Sequence, residues 1–222
     1  MDLSPPIRDG KIDEAYANPR EEVTLLVPEQ AKRILDVGCS VGIMGEALER
    51  SGCEVTGIES FPALAEGARQ RLSRVIEEDV EDLARRNSDP GGPFDCVIMA
   101  DVLEHLRDPW SVVRWASGLV GDGGSMVISV PNIRHIHLFW SMAVRRRWPY
   151  RDVGLFDRTH LRWFAFNNLD ELLVGTGFAI AELRRSYRLL PNQSSWDRLA
   201  PMLGDLGTLQ FIFRAERPAG SS

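Results

Sequence analysis

Arg33-Ile-Leu-Asp-Val-Gly-Cys-Ser-Val-Gly42 is the stretch from which the rest of the chain can be read. A short apolar run, Ile34, Leu35 and Val37, carries Asp36 near its end and passes directly into a turn bounded by Gly38 and Gly42. Amphipathic sequence follows from Ile43 to Arg50, giving the order strand, glycine turn, helix. That order presents backbone N–H groups and a helix N-terminus to a nucleotide-like ligand. Alone it is weak evidence, because glycine turns occur wherever a strand meets a helix. Here a second strand-like run, Glu54-Val-Thr-Gly-Ile-Glu59, follows and ends in an acid. An acid at the tip of the second strand is placed to accept hydrogen bonds from both hydroxyls of a ribose.

The turn lacks the Gly-x-Gly-x-x-Gly of dinucleotide-binding proteins. It is similar instead to the first motif of class I S-adenosylmethionine-dependent methyltransferases, usually Asp-x-Gly-x-Gly-x-Gly, with Ser40 standing for the middle glycine. The resemblance continues in order. Glu77-Glu-Asp79-Val80 looks like the motif after the third strand, Phe94 to Asp101 like the fourth strand, and Gly123-Gly-Ser-Met-Val-Ile-Ser-Val130 like the fifth. It covers roughly residues 20 to 215. It implies an α/β fold with a doubly wound, seven-stranded, Rossmann-like sheet, mostly parallel, whose antiparallel last strand closes the edge. It further implies S-adenosyl-L-methionine as cofactor, held by Asp36, Gly38, Cys39, Ser40, Gly42, Glu59, Asp79, Val80 and Ala100. Asp79 would meet the adenine amino group. Asp36 more often orders the glycine turn, and a contact with the cofactor's amino acid moiety stays open.

Composition agrees with one soluble α/β unit of 222 residues, 44% hydrophobic and 26% charged. A net charge of −6 argues against a nucleic-acid-binding face. Three cysteines, Cys39, Cys53 and Cys96, are too few and too scattered for a disulfide framework and suggest a reducing, cytoplasmic setting. No signal peptide or membrane span is visible; the apolar stretch from Ile136 to Val144 is short and contains His137 and Ser141. Strands and helices alternate through residue 130, with helices expected near 62–72, 80–86 and 109–120. Residues 16–131 then form the cofactor-binding core. Residues 132–166, dense in aromatics, Arg and His and without clear period, read as a substrate cap inserted after the fifth strand. Residues 167–217 complete the sheet, with a helix near 167–175, strands near 178–186 and 208–215, and a short helix around Trp196 to Leu203. The ends, 1–15 and 218–222, read as frayed.

The second informative cluster is Asp101-Val-Leu-Glu104-His105, directly after the fourth strand at the carboxyl edge where α/β proteins bind ligands. On a helix, Asp101, Glu104 and His105 would share one face. Two carboxylates and an imidazole are costly to hold together unless they share a cation or a hydrogen-bond network. Phe156-Asp-Arg-Thr-His160 supplies a further imidazole. The combination resembles metal-assisted O-methyltransferases, among them plant small-RNA 2′-O-methyltransferases and ubiquinone-biosynthesis enzymes. It implies Asp101, Glu104, His105 and His160 as ligands of Mg²⁺ or Mn²⁺, with Fe²⁺ or Zn²⁺ chemically admissible. It also implies Glu104, His105 and His160 as catalytic groups. Beside this stands a plainer reading, since Glu-His-Leu after the fourth strand also occurs in methyltransferases without metal, where the acid caps a helix.

Other residues weigh less. His135 and His137 read as loop residues, and Phe139, Trp140, Trp163 and Phe164 as the cap's apolar lining. Arg145-Arg-Arg147 with Trp148 and Tyr150 reads first as a solvated basic turn and second as a phosphate or sugar grip. Tyr16 and Arg20 fall where related enzymes cover the cofactor with an N-terminal helix. A hydroxyl acceptor needs a base or Lewis acid, which the cluster offers, so oxygen is the expected acceptor atom. Ser129-Val-Pro-Asn-Ile-Arg-His135 with Asp157-Arg-Thr-His160 also looks like methyltransferases of bacterial polysaccharide assembly. The first expectation is therefore a sugar or oligosaccharide hydroxyl. The rivals are a quinone-like or natural-product phenol and a non-catalytic cofactor-binding accessory. A homodimer is left open.

Overall fold

A computed structural model describes residues 7–8, 11–12, 19–187 and 195–218. Two strands of two residues each, β1 (Ile7–Arg8) and β2 (Lys11–Ile12), pair antiparallel and precede α1 (Glu21–Thr24). The alternating part follows: β3 (Arg33–Val37), α2 (Ile43–Arg50), β4 (Glu54–Glu59), α3 (Pro62–Arg69), β5 (Arg74–Glu77), α4 (Val80–Arg85), β6 (Phe94–Ala100), α5 (Pro109–Gly118) and β7 (Val120–Pro131). Next come α6 (Ile136–Ala143), α7 (Asn168–Leu172), β8 (Ala179–Tyr187) and β9 (Thr208–Glu216), with a 3₁₀ segment at Ser195–Leu206. The seven main strands lie in the order β5-β4-β3-β6-β7-β9-β8.

The central strands are buried on both faces, so they read as near-continuous apolar runs. Ile34, Leu35, Val37, Val97, Ile98, Met99, Val127 and Ile128 are all shielded from solvent. The chain winds outward from β3 to β4 and β5, then returns to place β6 on the other side of β3. That reversal opens a crevice at the carboxyl ends of β3 and β6, the ordinary ligand position in open α/β sheets.

Two expectations need correction. The last strand does run antiparallel, but it does not hold the edge: β9 inserts between β7 and β8, antiparallel to both. Its Phe211, Phe213 and Ala215 are fully buried and belong to the same apolar cluster as β7, a position that an edge strand could not give them. The region after β7 is also less uniform than a cap lined by aromatics. It contains α6, whose N-terminus is capped by His135, the ring Nδ1 accepting from His137 N at 3.3 Å. Phe164 is not a lining residue but a member of the main core, 1% exposed, and its carbonyl accepts from Ile133 N. Phe139, Trp140 and Trp163 face solvent instead. Among the described residues, no helix is long and apolar enough to cross a membrane.

Candidate active site

The glycine turn between β3 and α2 is built by backbone constraints. Gly38 and Gly42 both have positive φ, and a Cβ at Gly38 would lie 3.0 Å from Val102. Ser40 also takes a positive φ of 52°, the conformation a glycine would adopt freely. The serine substitution in the motif is thus accommodated by strained backbone rather than by altered geometry. Gly38 N and Cys39 N donate to Ile58 O at 2.8 and 3.0 Å, tying the turn to β4. Glu59, at the tip of β4, accepts from Ser40 N at 3.0 Å and Phe61 N at 2.9 Å. Each of its oxygens holds one loop and keeps lone-pair capacity for a ligand. Asp36 is fully buried, its Oδ2 has no partner, and burial followed by the charge of Glu59 pushes it up to about 7. Burial raises Glu59 as well, against its backbone bonds. Two buried acids beneath one turn favour a ligand that carries positive charge.

Asp79 caps α4, accepting from Glu81 N at 2.8 Å, and Val80 is buried as the first residue of that helix. Ala100 ends β6 in register with Ser129. The candidate cofactor residues thus occupy adjacent strand ends on the carboxyl edge of the sheet.

Beside them stands the cluster after β6. Leu103–His105 form a single 3₁₀ turn, and Asp101 before it has a φ of +55°. The expected helical face joining Asp101 to Glu104 and His105 therefore does not form. Asp101 is turned into another network: it pairs with Arg20 and accepts from Ser129 Oγ at 3.0 Å and Gln210 Nε2 at 2.8 Å. Of the four proposed ligands, the structure brings together Glu104, His105 and His160, whose ligand atoms lie within 4.8 Å of one another. The loop carrying His160 is pinned by Leu161 N and Arg162 N, which donate to Glu104 O at 2.7 and 3.0 Å. The two imidazoles meet edge to face with centroids 4.8 Å apart.

Electrostatics sharpen the cluster. Burial pushes Glu104 up to about 8, and its Oε2 has no hydrogen-bond partner. Burial lowers His105, opposed by Asp157, and lowers His160 to about 4, with His105 contributing in the same direction. Both rings are neutral at pH 7 and offer lone pairs. The tautomer of His105 is set by Asp157 and Thr159, two further residues of the stretch that carries His160. Thr159 Oγ donates to Asp157 Oδ1 at 2.6 Å and lies 2.9 Å from His105 Nδ1. A hydroxyl has one proton, here spent on Asp157, so its oxygen accepts from Nδ1–H and leaves Nε2 of His105 with the lone pair. The Asp-x-Thr spacing, which closes an Asx-type turn through Thr159 N to Asp157 Oδ1 at 2.8 Å, was the available signal. Arg20 was expected near the cofactor, and it reaches the strand ends through Asp101; Tyr16 lies outside the described residues.

Comparison with known proteins agrees with this fold. A family model described as a methyltransferase domain matches residues 11–183. The ubiquinone biosynthesis O-methyltransferase of Xanthomonas campestris pv. campestris (strain B100) is 38% identical over 106 residues, covering 45% of this chain and 43% of that protein. The enzyme of the same name from Xanthomonas axonopodis pv. citri (strain 306) is 35% identical over 118 residues, covering 50% and 48%. The chain thus matches less than half the length of these relatives. Among solved structures, magnesium protoporphyrin IX methyltransferase from Synechocystis PCC 6803 with bound SAH aligns with a TM-score of 0.65 at 17% identity, covering 95% of this chain and 90% of that one. A S-adenosylmethionine dependent methyltransferase from Mesorhizobium loti gives 0.64 at 18% identity, with 89% and 96% covered. These last two are likenesses of fold.

Proposed function

Because the chain belongs to the methyltransferase domain family, we propose that it is an S-adenosylmethionine-dependent O-methyltransferase whose acceptor is a hydroxyl on a quinone-like or related phenolic ring. The observation that carries this reading is the convergence of Glu104, His105 and His160 beside the glycine turn, with both imidazoles held neutral. The donor, when bound, supplies a methyl group already activated on a sulfonium, so the protein's part is alignment, exclusion of water and handling of the acceptor proton. Asp36 and Glu59 provide the acidic floor that suits a cationic cofactor, and Glu59 the acceptors for its ribose.

A divalent ion fits the cluster: the partnerless, buried Oε2 of Glu104 and two imidazole lone pairs form a two-histidine, one-carboxylate donor set, which suits Mn²⁺, Fe²⁺ or Zn²⁺ better than Mg²⁺. When bound, such an ion would lower the pKa of a coordinated hydroxyl. Asp101 is left out of this set by its pairing with Arg20. Without an ion, His105, oriented by Thr159, is the group able to take the acceptor proton; with one bound, both imidazole lone pairs belong to it and the ion itself would activate the hydroxyl.

The sugar hydroxyl expected from the sequence gives way to a phenol for two reasons. Relatives 38% identical over 106 residues and 35% identical over 118 residues are named for ubiquinone biosynthesis. A phenol also ionises far more readily than a sugar alcohol, near pH 10, so it asks less of the site. The deciding assay offers labelled donor to catechol-type phenols and to monosaccharides, before and after exhaustive chelation, and maps the methylated atom. Transfer to a phenolic oxygen, abolished by chelation and restored by Mn²⁺, is the expected result. Transfer to sugars alone, or to no hydroxyl compound at all, would overturn it and, in the second case, favour the accessory reading.

A further inference from the structure

Building on the reading of Glu104, His105 and His160 as the reacting cluster, we propose that Glu81 and Arg162 are its positioning residues. From opposite sides they grip the peptide joining Arg107 to Asp108, and so fix Glu104 and His105 relative to His160.

The cluster is carried by two pieces of chain with little structure of their own. Leu103–His105 is a single 3₁₀ turn, held from within by His105 N to Val102 O at 3.0 Å and Leu106 N to Leu103 O at 3.3 Å. Such short turns have poorer hydrogen-bond geometry than an α-helix and leave terminal carbonyls and N–H groups to be met from outside. The stretch from Asp157 to Arg162 belongs to no helix and no named strand. The burial of Glu104 and His105 places both groups, but their distance from His160 depends on how the two pieces are joined.

The joining bonds come from few residues. Leu161 N and Arg162 N donate to Glu104 O, which fastens the histidine loop to the turn. The Arg162 side chain reaches further along the same segment. Its Nη2 donates to Arg107 O and its Nη1 to Leu161 O at 3.1 Å, with the guanidinium 5.9 Å from the centre of the Trp110 ring. From the other side a single carboxylate oxygen, Glu81 Oε1, accepts from Arg107 N at 3.0 Å and from Asp108 N at 2.9 Å. In a trans peptide the C=O and N–H point in opposite directions. The Arg107–Asp108 peptide therefore has its oxygen against a cation and its N–H against an anion, and charge-assisted bonds of this kind are stronger than neutral ones.

Glu81 is aimed by its own helix. Its N donates to Asp79 Oδ1 at 2.8 Å in the first turn of α4, so the carboxylate projects from a capped helix start. Arg162 carries the connection to the histidine, because its main chain continues the loop of His160 while its side chain ends beyond the turn. Without Glu81 the segment would be tethered on one side only. A simpler role would be a surface tie between α4 and α5, since Glu81 also lies 3.9 Å from Arg107 Nη1. Exposed ion pairs contribute little to stability, and a tie of that kind would leave the cluster unaltered when removed.

The test compares the parent chain with Glu81→Ala, Glu81→Gln, Arg162→Leu and Arg162→Lys. Gln keeps an oxygen able to accept from both N–H groups, and Lys keeps a cationic donor for Arg107 O, so each is the conservative counterpart of a disruptive change. Glu81→Asp, which withdraws the oxygen but keeps the charge, replaces Glu81→Ala if that variant does not fold. In metal-free protein the parent should show a nuclear Overhauser effect between the rings of His105 and His160, whose centroids lie 4.8 Å apart. The Ala and Leu variants should lose it, and the Gln and Lys variants should regain it. In turnover, the Ala and Leu variants should lose about 10–100-fold in kcat with affinity for S-adenosylhomocysteine unchanged. Combining Glu81→Ala with Arg162→Leu should cost no more than the worse single change, because both act through one peptide. The proposal is overturned if folded Ala and Leu variants keep the ring contact and the parent's kcat, or if Gln and Lys restore neither. It is equally overturned if the double variant loses the product of the two single losses. A parent that transfers no methyl group would sink the proposed function instead, and the ring contact would still decide the roles of Glu81 and Arg162.

Discussion

Thr159→Val tests the part of the site that depends most on geometry. Valine is nearly isosteric with threonine, so packing persists while the hydroxyl between Asp157 Oδ1 (2.6 Å) and His105 Nδ1 (2.9 Å) is removed. Nδ1–H then loses its acceptor in a site where burial already lowers the histidine. An unsatisfied buried group of this kind costs about 1–3 kcal/mol. The ring can recover part of that by moving its proton to Nε2, which removes the lone pair that faces Glu104 and His160. Loss of a partner that orients a ligand or base typically costs 10–100-fold, equivalent to about 1.4–2.7 kcal/mol in the barrier. The fall should appear in kcat, with affinity for S-adenosylhomocysteine unchanged, since Glu59 and the glycine turn are untouched. Thr159→Ser should restore most of the rate because it returns the hydroxyl. Long-range ¹H–¹⁵N correlation spectra of the histidine rings supply an independent readout, showing His105 protonated on Nδ1 in the parent and on Nε2 in the valine variant. A valine variant with the parent's tautomer and the parent's kcat would refute the relay, whatever its stability.

Glu59→Ala should weaken S-adenosylhomocysteine binding by about 1–3 kcal/mol, measured by calorimetry; unchanged affinity would mean that the ribose is held elsewhere. Phe164→Ala should lower stability by about 3–5 kcal/mol in chemical denaturation, because Phe164 is 1% exposed within the main core; a loss below about 1 kcal/mol would return it to the role of cap lining. In metal-free protein, stability should fall as pH drops from the unfolded histidine value of 6.5 towards about 4, because the unfolded chain takes up a proton that folded His160 refuses. Glu104 acts oppositely: its folded value of about 8 exceeds 4.5, so the stability linked to its protonated form is lost as pH rises through that range. His160→Ala should flatten the acid limb, and Glu104→Gln the neutral one.

The strand ends and glycine turn of the candidate cofactor site were legible because they are local. Asp36, Gly38, Gly42 and Glu59 sit at strand ends whose apolar runs can be counted, and α2 spans Ile43–Arg50 as its amphipathic pattern indicated. Asp101 was not legible in the same way. Spacing alone placed it on a face with Glu104, but its left-handed backbone, which Asp tolerates better than most residues, points it away. What holds it there are Arg20, Ser129 and Gln210, residues far apart in the chain that meet only when β9 enters the sheet beside β7. The same insertion decides which strand holds the edge. No pattern within β8 or β9 distinguishes an edge strand from its neighbour when both carry apolar and charged residues.

The missed helix is more instructive. A helix announces itself by a polar face opposite an apolar one, and Ile136–Ala143 offers only His137 and Ser141 among apolar residues. Without contrast there is no period, so the segment read as irregular cap. Its apolar outer face would ordinarily mark a helix buried on all sides, yet only Leu138 and Ser141 are buried and the aromatic face remains open. Absence of period and exposure of the face have one cause. The sequence places apolar side chains where water would be met, immediately before three arginines that neutralise nothing within the described residues. A fold stabilised only by its own core would have no use for that arrangement, since exposing Phe139 and Trp140 contributes nothing to stability.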